Sequence, residues 1–175
     1  MRRAAVALLV CLAGCGGGDK LESPPPSAPR QLTVTSPDFP ANGAIPTRFS
    51  CDGDKARPAL RFAGVPAGAA ELALVVVDPD AGGFVHWTAY GLPPDTRSLA
   101  ASGLPAGARE GENSTGSTGW TPPCPPSGTH RYEFRLYWLK SHSGLDAGAK
   151  PDDVIAAVRR SAGGSGLLVG RYSRR

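Results

Sequence analysis

Apolar residues along this chain come in short runs separated by Gly and Pro clusters, the spacing expected of strands joined by turns rather than of long helices. Six runs have strand character: 31–35, 60–62, 71–77, 84–90, 130–139 and 167–172. In the longest, His130, Tyr132, Phe134, Leu136 and Trp138 alternate with Arg131, Glu133 and Arg135, so a period of two puts the first set on one face. Leu72 to Val77 is nearly continuous apolar sequence, which predicts a central strand covered on both faces. One segment, 151–162, reads as a helix. Pro151 suits a first turn, Asp152 and Asp153 suit a helix N-terminus, and Val154, Ile155 and Val158 share a side, with Gly163 and Gly164 expected to end it. The predicted fold is all-β in the main: an antiparallel β-sandwich with one or two short helices and long irregular connections.

The first 30 residues follow a different pattern. Arg2 and Arg3 precede an apolar run, Ala4 to Leu12, that is too short to span a bilayer, and small residues follow at once. Residues 1–14 therefore predict a signal peptide. Leu12-Ala13-Gly14-Cys15 resembles the lipobox of bacterial lipoproteins, which implies that Cys15 becomes the acylated first residue and carries palmitate-type chains into a membrane. An ordinary secretory signal with a chance cysteine is the competing reading. Residues 15–30 mix glycines with prolines and lack an apolar period, so they read as a tether to a single domain at 31–175. Gly16 rather than Asp follows the cysteine. By resemblance to lipoprotein sorting in Gram-negative cells, that favours a place in the cell envelope at the outer membrane, facing the periplasm.

Length and charge narrow the function. A chain of 175 residues suits one core, and 23 Gly with 18 Pro argue against a helical bundle. Loss of Arg2 and Arg3 leaves 17 basic against 15 acidic residues, with no basic stripe of the kind a nucleic-acid binder shows. Of four cysteines, Cys11 falls in the signal and Cys15 takes lipid. Cys51 and Cys124 remain, and an even pair in an exported chain is most simply a disulfide. A catalytic thiol competes, but no feature marks either residue as a low-pKa nucleophile.

Chemistry-bearing side chains cluster in three places. Asp78 and Asp80 close the buried run, and at i and i+2 of a strand they would point to one side. His86 lies on the next run. Pro122, Pro123, Cys124, Pro125 and Pro126 make a stiff segment that leads to His130 and Tyr132 on one strand face.

Taken in order, Cys51-Asp52-Gly53, Asp78-Pro79-Asp80-Ala81, His86-Trp87, Gly119-Trp120-Thr121-Pro122-Pro123-Cys124-Pro125-Pro126 and His130-Arg131-Tyr132 resemble the phosphatidylethanolamine-binding protein family, in its bacterial Raf kinase inhibitor-like branch. The resemblance runs from about residue 32 to 174. It implies a large central antiparallel sheet beside a smaller one, with a small anion-binding pocket at one end. Asp78, His86, His130 and Tyr132 match its pocket residues, with Asp80 and the segment around Pro122 in the wall. In that branch the cysteines matching Cys51 and Cys124 are placed as a disulfide pair would be. The chain departs from the family at Gly82 and Gly83, at Trp120 where Tyr is usual, and at Pro122 where Gly is common, all near the pocket rim.

Imidazole and phenol groups can donate to a phosphate or carboxylate, while a nearby Asp can accept from an ammonium or orient a histidine. The expected function is a non-enzymatic, membrane-anchored binding protein for a small anionic or phosphorylated ligand, with a phospholipid head group as one example. Two alternatives are an envelope protein-interaction module with a vestigial pocket and an enzyme using His86, His130 and the two carboxylates. Against the enzyme, the chain lacks a Gly-x-Ser-x-Gly elbow, a dinucleotide or phosphate loop, and tight metal-ligand spacing, so neither cofactor nor metal is expected. The kinase-inhibitor label of the branch does not transfer to an exported chain.

Overall fold

The computed structural model describes residues 25–174; the predicted signal peptide, Cys15 and most of the tether lie outside the described residues. Strands β3 (Glu71–Asp78), β4 (Phe84–Leu92), β6 (Arg109–Glu110), β7 (Thr129–Leu139) and β8 (Ala162–Ser173) form one sheet in the order β6-β4-β3-β7-β8. Strands β1 (Thr33–Thr35), β2 (Leu60–Ala63) and β5 (Ser98–Leu99) form a smaller sheet in the order β1-β2-β5. Every pairing of these strands is antiparallel, as predicted.

The continuous apolar run does what its pattern requires. All eight residues of β3 are buried, with Leu72, Leu74 and Val76 facing the small sheet and Ala73, Val75 and Val77 facing the other way. Helix α1 (Pro151–Ser161) covers that second face through Val154 and Val158. The same division explains β7. Tyr132, Phe134 and Leu136 join the core between the sheets, and the alternate positions turn apolar at Tyr137 and Leu139, which belong to the layer under α1.

Two predicted boundaries are corrected. Gly163 and Gly164 do not end the helix in a turn: α1 stops at Ser161 and the chain enters β8 at once, five residues before the predicted start at 167. The glycines serve close approach instead. A Cβ on Gly163 would lie 2.0 Å from the Trp138 ring, and one on Gly166 would lie 2.7 Å from the Leu32 carbonyl oxygen. Nor is the whole of 15–30 a free tether. The Pro26 carbonyl accepts from Tyr137 Oη at 2.9 Å, the Ala28 carbonyl from Ser165 Oγ at 2.9 Å and the Pro29 carbonyl from Ser165 N at 2.8 Å. Residues 26–30 are a strap on the edge strand β8, so the folded unit starts before Gln31.

Cys51 and Cys124 are joined in a disulfide, with Cα atoms 5.4 Å apart across 73 residues of sequence. Beside it the Cys51 N–H donates to the Pro123 carbonyl at 3.0 Å. The proline-rich segment, poor in its own donors, is thereby fixed to the body of the domain.

Candidate functional site

Asp78 is the last residue of β3, where the chain breaks into a 3-10 turn at Pro79–Ala81. Its Oδ1 accepts from the backbone N–H groups of Asp80 and Ala81 at 2.9 and 3.0 Å, capping the turn. Its Oδ2 faces His130 Nδ1 at 2.6 Å. Burying a carboxylate is expensive unless its lone pairs are met, and here three donors meet them. Gly82 and Gly83, at φ 69° and 84°, then turn the chain back into β4; the family departure at these positions is the left-handed backbone of a tight return.

Strand β4 delivers His86, whose ring is almost wholly buried. Its Nδ1 lies 2.9 Å from the Thr121 carbonyl oxygen, an atom that can only accept, so Nδ1 carries the hydrogen. The Thr121 N–H returns a bond to the His86 carbonyl at 2.9 Å, locking the proline-rich segment to β4. Burial, the largest effect, pushes the His86 imidazole below its ordinary range, against the opposing pull of the Thr121 bond and the Asp78 charge. Tyr132 lies two residues past His130 on the same face of β7, its ring 5.1 Å from that of His86 in an edge-on contact. Burial first, and then the Asp78 charge, raise its phenol far above the usual range, so it remains a hydroxyl donor. That hydroxyl is buried and finds no hydrogen-bond partner among the described residues.

These groups surround one cavity of about 310 Å³, lined by Asp78, Phe84, His86, Pro122, His130 and Tyr132, together with Cys124 and Pro125. Five of the six residues expected in the site thus line one cavity. Asp80 does not. The i and i+2 rule fails because β3 ends at Asp78 and the 3-10 turn swings the next carboxylate outward. Asp80 Oδ2 instead accepts from Arg131 N and Nε at 2.8 and 3.0 Å, and Oδ1 from Arg131 Nη2 at 2.6 Å. The Arg131 bonds hold the Asp80 carboxyl down at about 2, and the pair braces the start of β7 beside His130.

The motifs include Trp120, near the rim, and Thr121 without giving either a role, and they leave out Phe84. Thr121 acts through its carbonyl, which no side-chain motif reveals. The Phe84 ring meets that of His86 at 4.8 Å in a tilted contact, and the Trp120 ring lies 6.4 Å from His86 with its Nε1 buried and unpartnered among the described residues. The motifs also leave out a second polar cluster, in which half-buried Glu110 accepts from buried Arg57 Nη1 at 3.1 Å and from Trp87 Nε1 at 2.7 Å, with the Arg57 guanidinium 4.2 Å from the Trp87 ring centre. Among the described residues, no three His, Cys, Asp or Glu side chains are arranged to hold a metal ion.

An antiparallel sandwich with a small cavity at the ends of β3, β4 and β7 defines a class of β-sandwich binding domain. The family model described as phosphatidylethanolamine-binding protein matches residues 35–173, and the chain belongs to that family. A Mycobacterium tuberculosis protein named as a candidate lipoprotein, LppC, is 42% identical over 97% of this chain and 93% of its own length. A UPF0098 protein of Methanothermobacter thermautotrophicus is 43% identical over 78% of this chain and 95% of its own. The crystal structure of a candidate family homologue from Chlamydia trachomatis superposes with a TM-score of 0.78 at 32% identity, covering 83% of this chain and 99% of that one. The Escherichia coli family member YbcL gives 0.77 at 26% identity, with coverage of 83% and 99%.

Proposed function

We propose that this chain is a lipid-anchored protein of the cell envelope whose cavity binds a small phosphorylated or zwitterionic ligand of the kind a phospholipid head group presents. The observation that carries the reading is the Tyr132 hydroxyl, buried at the cavity without a partner among the described residues, beside the Asp78–His130 pair. A buried donor left unmet costs about 1–3 kcal/mol, and an entering oxyanion recovers it. Asp78 fixes the His130 ring at the cavity through Nδ1. The lipid anchor rests on the lipobox at Cys15 together with the name of the mycobacterial relative, which matches this chain over nearly its whole length.

The test is calorimetry of the full chain in a non-ionic detergent, titrated with phosphoethanolamine, beside a His86→Ala/His130→Ala variant. The expected result is binding by the natural chain and none by the variant. Equal heats from both, or none from the natural chain, overturn the cavity as the binding site. Metabolic labelling with a palmitate analogue, lost on Cys15→Ser, tests the anchor.

A further inference from the structure

The strap at residues 26–30 sets where the chain from Cys15 joins the fold. Residues 16–25 lie between Cys15 and Pro26, so those two are at most about 40 Å apart whatever path the chain takes. Pro26 is held by Tyr137 and Pro29 by Ser165, a cross-strand pair near the end of β7 and the start of β8. The cavity is at the other end of β7. Tyr137 lies seven positions beyond His130, about 23 Å along a strand.

The surface around that junction carries one sign of charge. The three segments that meet there, 26–31, 137–142 and 156–168, contain Arg30, Lys140, Arg159 and Arg160 and no Asp or Glu. They are neighbours in space, because Lys140 N donates to the Ser161 carbonyl at 2.9 Å and Arg30 bridges to Ser165. All four basic residues are exposed. At the cavity end, by contrast, the exposed guanidinium groups of Arg48, Arg131 and Arg174 each meet a carboxylate, of Asp38, Asp80 and Asp52. A basic pair at a helix C-terminus is what the dipole of α1 favours, which accounts for Arg159 and Arg160 but not for Arg30 and Lys140.

Resting on the lipid-anchor reading above, we infer that this basic pole docks on the membrane that holds the anchor, with anionic phospholipid head groups as its partner, and that the cavity is thereby turned away from that membrane. Lysine and arginine side chains are drawn to an anionic lipid surface over roughly a Debye length, about 10 Å at 0.1 M salt. The short connection to Cys15 keeps the pole near the surface in the first place. The attraction then orients a domain that the acyl chains already hold.

The acylated full chain, extracted from membranes, is reconstituted into vesicles of phosphatidylcholine alone and of a two-to-one mixture of phosphatidylcholine and phosphatidylglycerol. A water-soluble amine reagent then reads each lysine by mass spectrometry. Lys140 reports on the basic pole. Lys55, exposed in the loop after Cys51, whose disulfide partner lines the cavity, is the reference. Modification of Lys140 is expected to slow by about three-fold or more on the anionic vesicles and to recover in about 0.5 M salt, while Lys55 is unchanged. An Arg30→Gln/Arg160→Gln chain, altered only at exposed side chains, should lose most of that protection. Equal Lys140 rates on the two kinds of vesicle, slowing of Lys55 in place of Lys140, or full protection in the variant overturns the inference and leaves the anchor standing. Acyl chains need no lipid charge, so a chain that does not float with the neutral vesicles overturns the anchor and the inference together.

Discussion

Asp78 and His130 stand 52 positions apart in the sequence and meet through a 2.6 Å hydrogen bond where two neighbouring antiparallel strands reach the same end of the sheet. The aspartate has two tasks there, since one oxygen closes the turn after β3 and the other fixes the His130 ring. Asp78→Ala should therefore destabilise the fold by about 2–3 kcal/mol, combining a lost cap with buried donors left unmet. Urea denaturation measures it. A cost under a few tenths of a kcal/mol would mean that the turn holds without its cap.

His86 ties stability to pH. The folded state keeps this ring neutral, because burial pushes its imidazole below the ordinary value of 6.5, while the unfolded chain takes up the proton near that value. Its contribution is present above 6.5 and is lost as pH falls through the folded value. Denaturation midpoints between about pH 8 and pH 5 should fall more steeply for the natural chain than for His86→Asn, whose amide can still donate to Thr121. His130 and His142 are common to both, so the difference isolates His86. Parallel curves would show that the ring is not held neutral.

Much of this architecture is legible in the sequence, and what is not legible has a physical cause. The eight-residue β3 and the alternation in β7 are written in side chains that have only one place to go, so pattern and structure agree. Cys51 and Cys124 were left as a pair by counting alone. By contrast, the glycines at 163, 164 and 166 look like loop until Trp138 and the backbone of Leu32 are known to cross over them. The two-residue strands β5 and β6 are too short to show a period. At the site, motif order gathered Asp78, His86, His130 and Tyr132, but it could not show that Asp80 turns outward, because that depends on where β3 gives way to a 3-10 turn. Nor could it show the Thr121 carbonyl, which fixes the hydrogen of His86 through backbone alone.

The strap carries its own prediction. Chains beginning at Pro25 and at Gln31 differ by the carbonyls that meet Tyr137 Oη, Ser165 Oγ and Ser165 N. Tyr137 is buried, so its hydroxyl loses its partner in the shorter chain. The shorter chain should be less stable by about 1–3 kcal/mol. Denaturant midpoints of the two chains check it, and identical midpoints would restore residues 26–30 to the free tether.

The disulfide links stability to the cavity, because Cys124 lines it and its partner Cys51 is 73 residues away. In the chain-entropy account, opening a loop of that length costs about 4–5 kcal/mol, a large share of what a domain of this size has. The local effect is separable from the global one. Cys51 N–H still reaches the Pro123 carbonyl after reduction, but that bond and the Thr121–His86 pair are left to hold a segment whose prolines offer no donors of their own. A Cys51→Ser/Cys124→Ser chain is therefore expected to lose several kcal/mol in urea and, at temperatures where it is still folded, to bind phosphoethanolamine more weakly than the oxidised chain. Reduction of the natural chain should reproduce both effects. A large fall in stability with unchanged binding would show that the Thr121–His86 and Cys51–Pro123 bonds set the cavity wall without the disulfide, which would then act on the unfolded chain only.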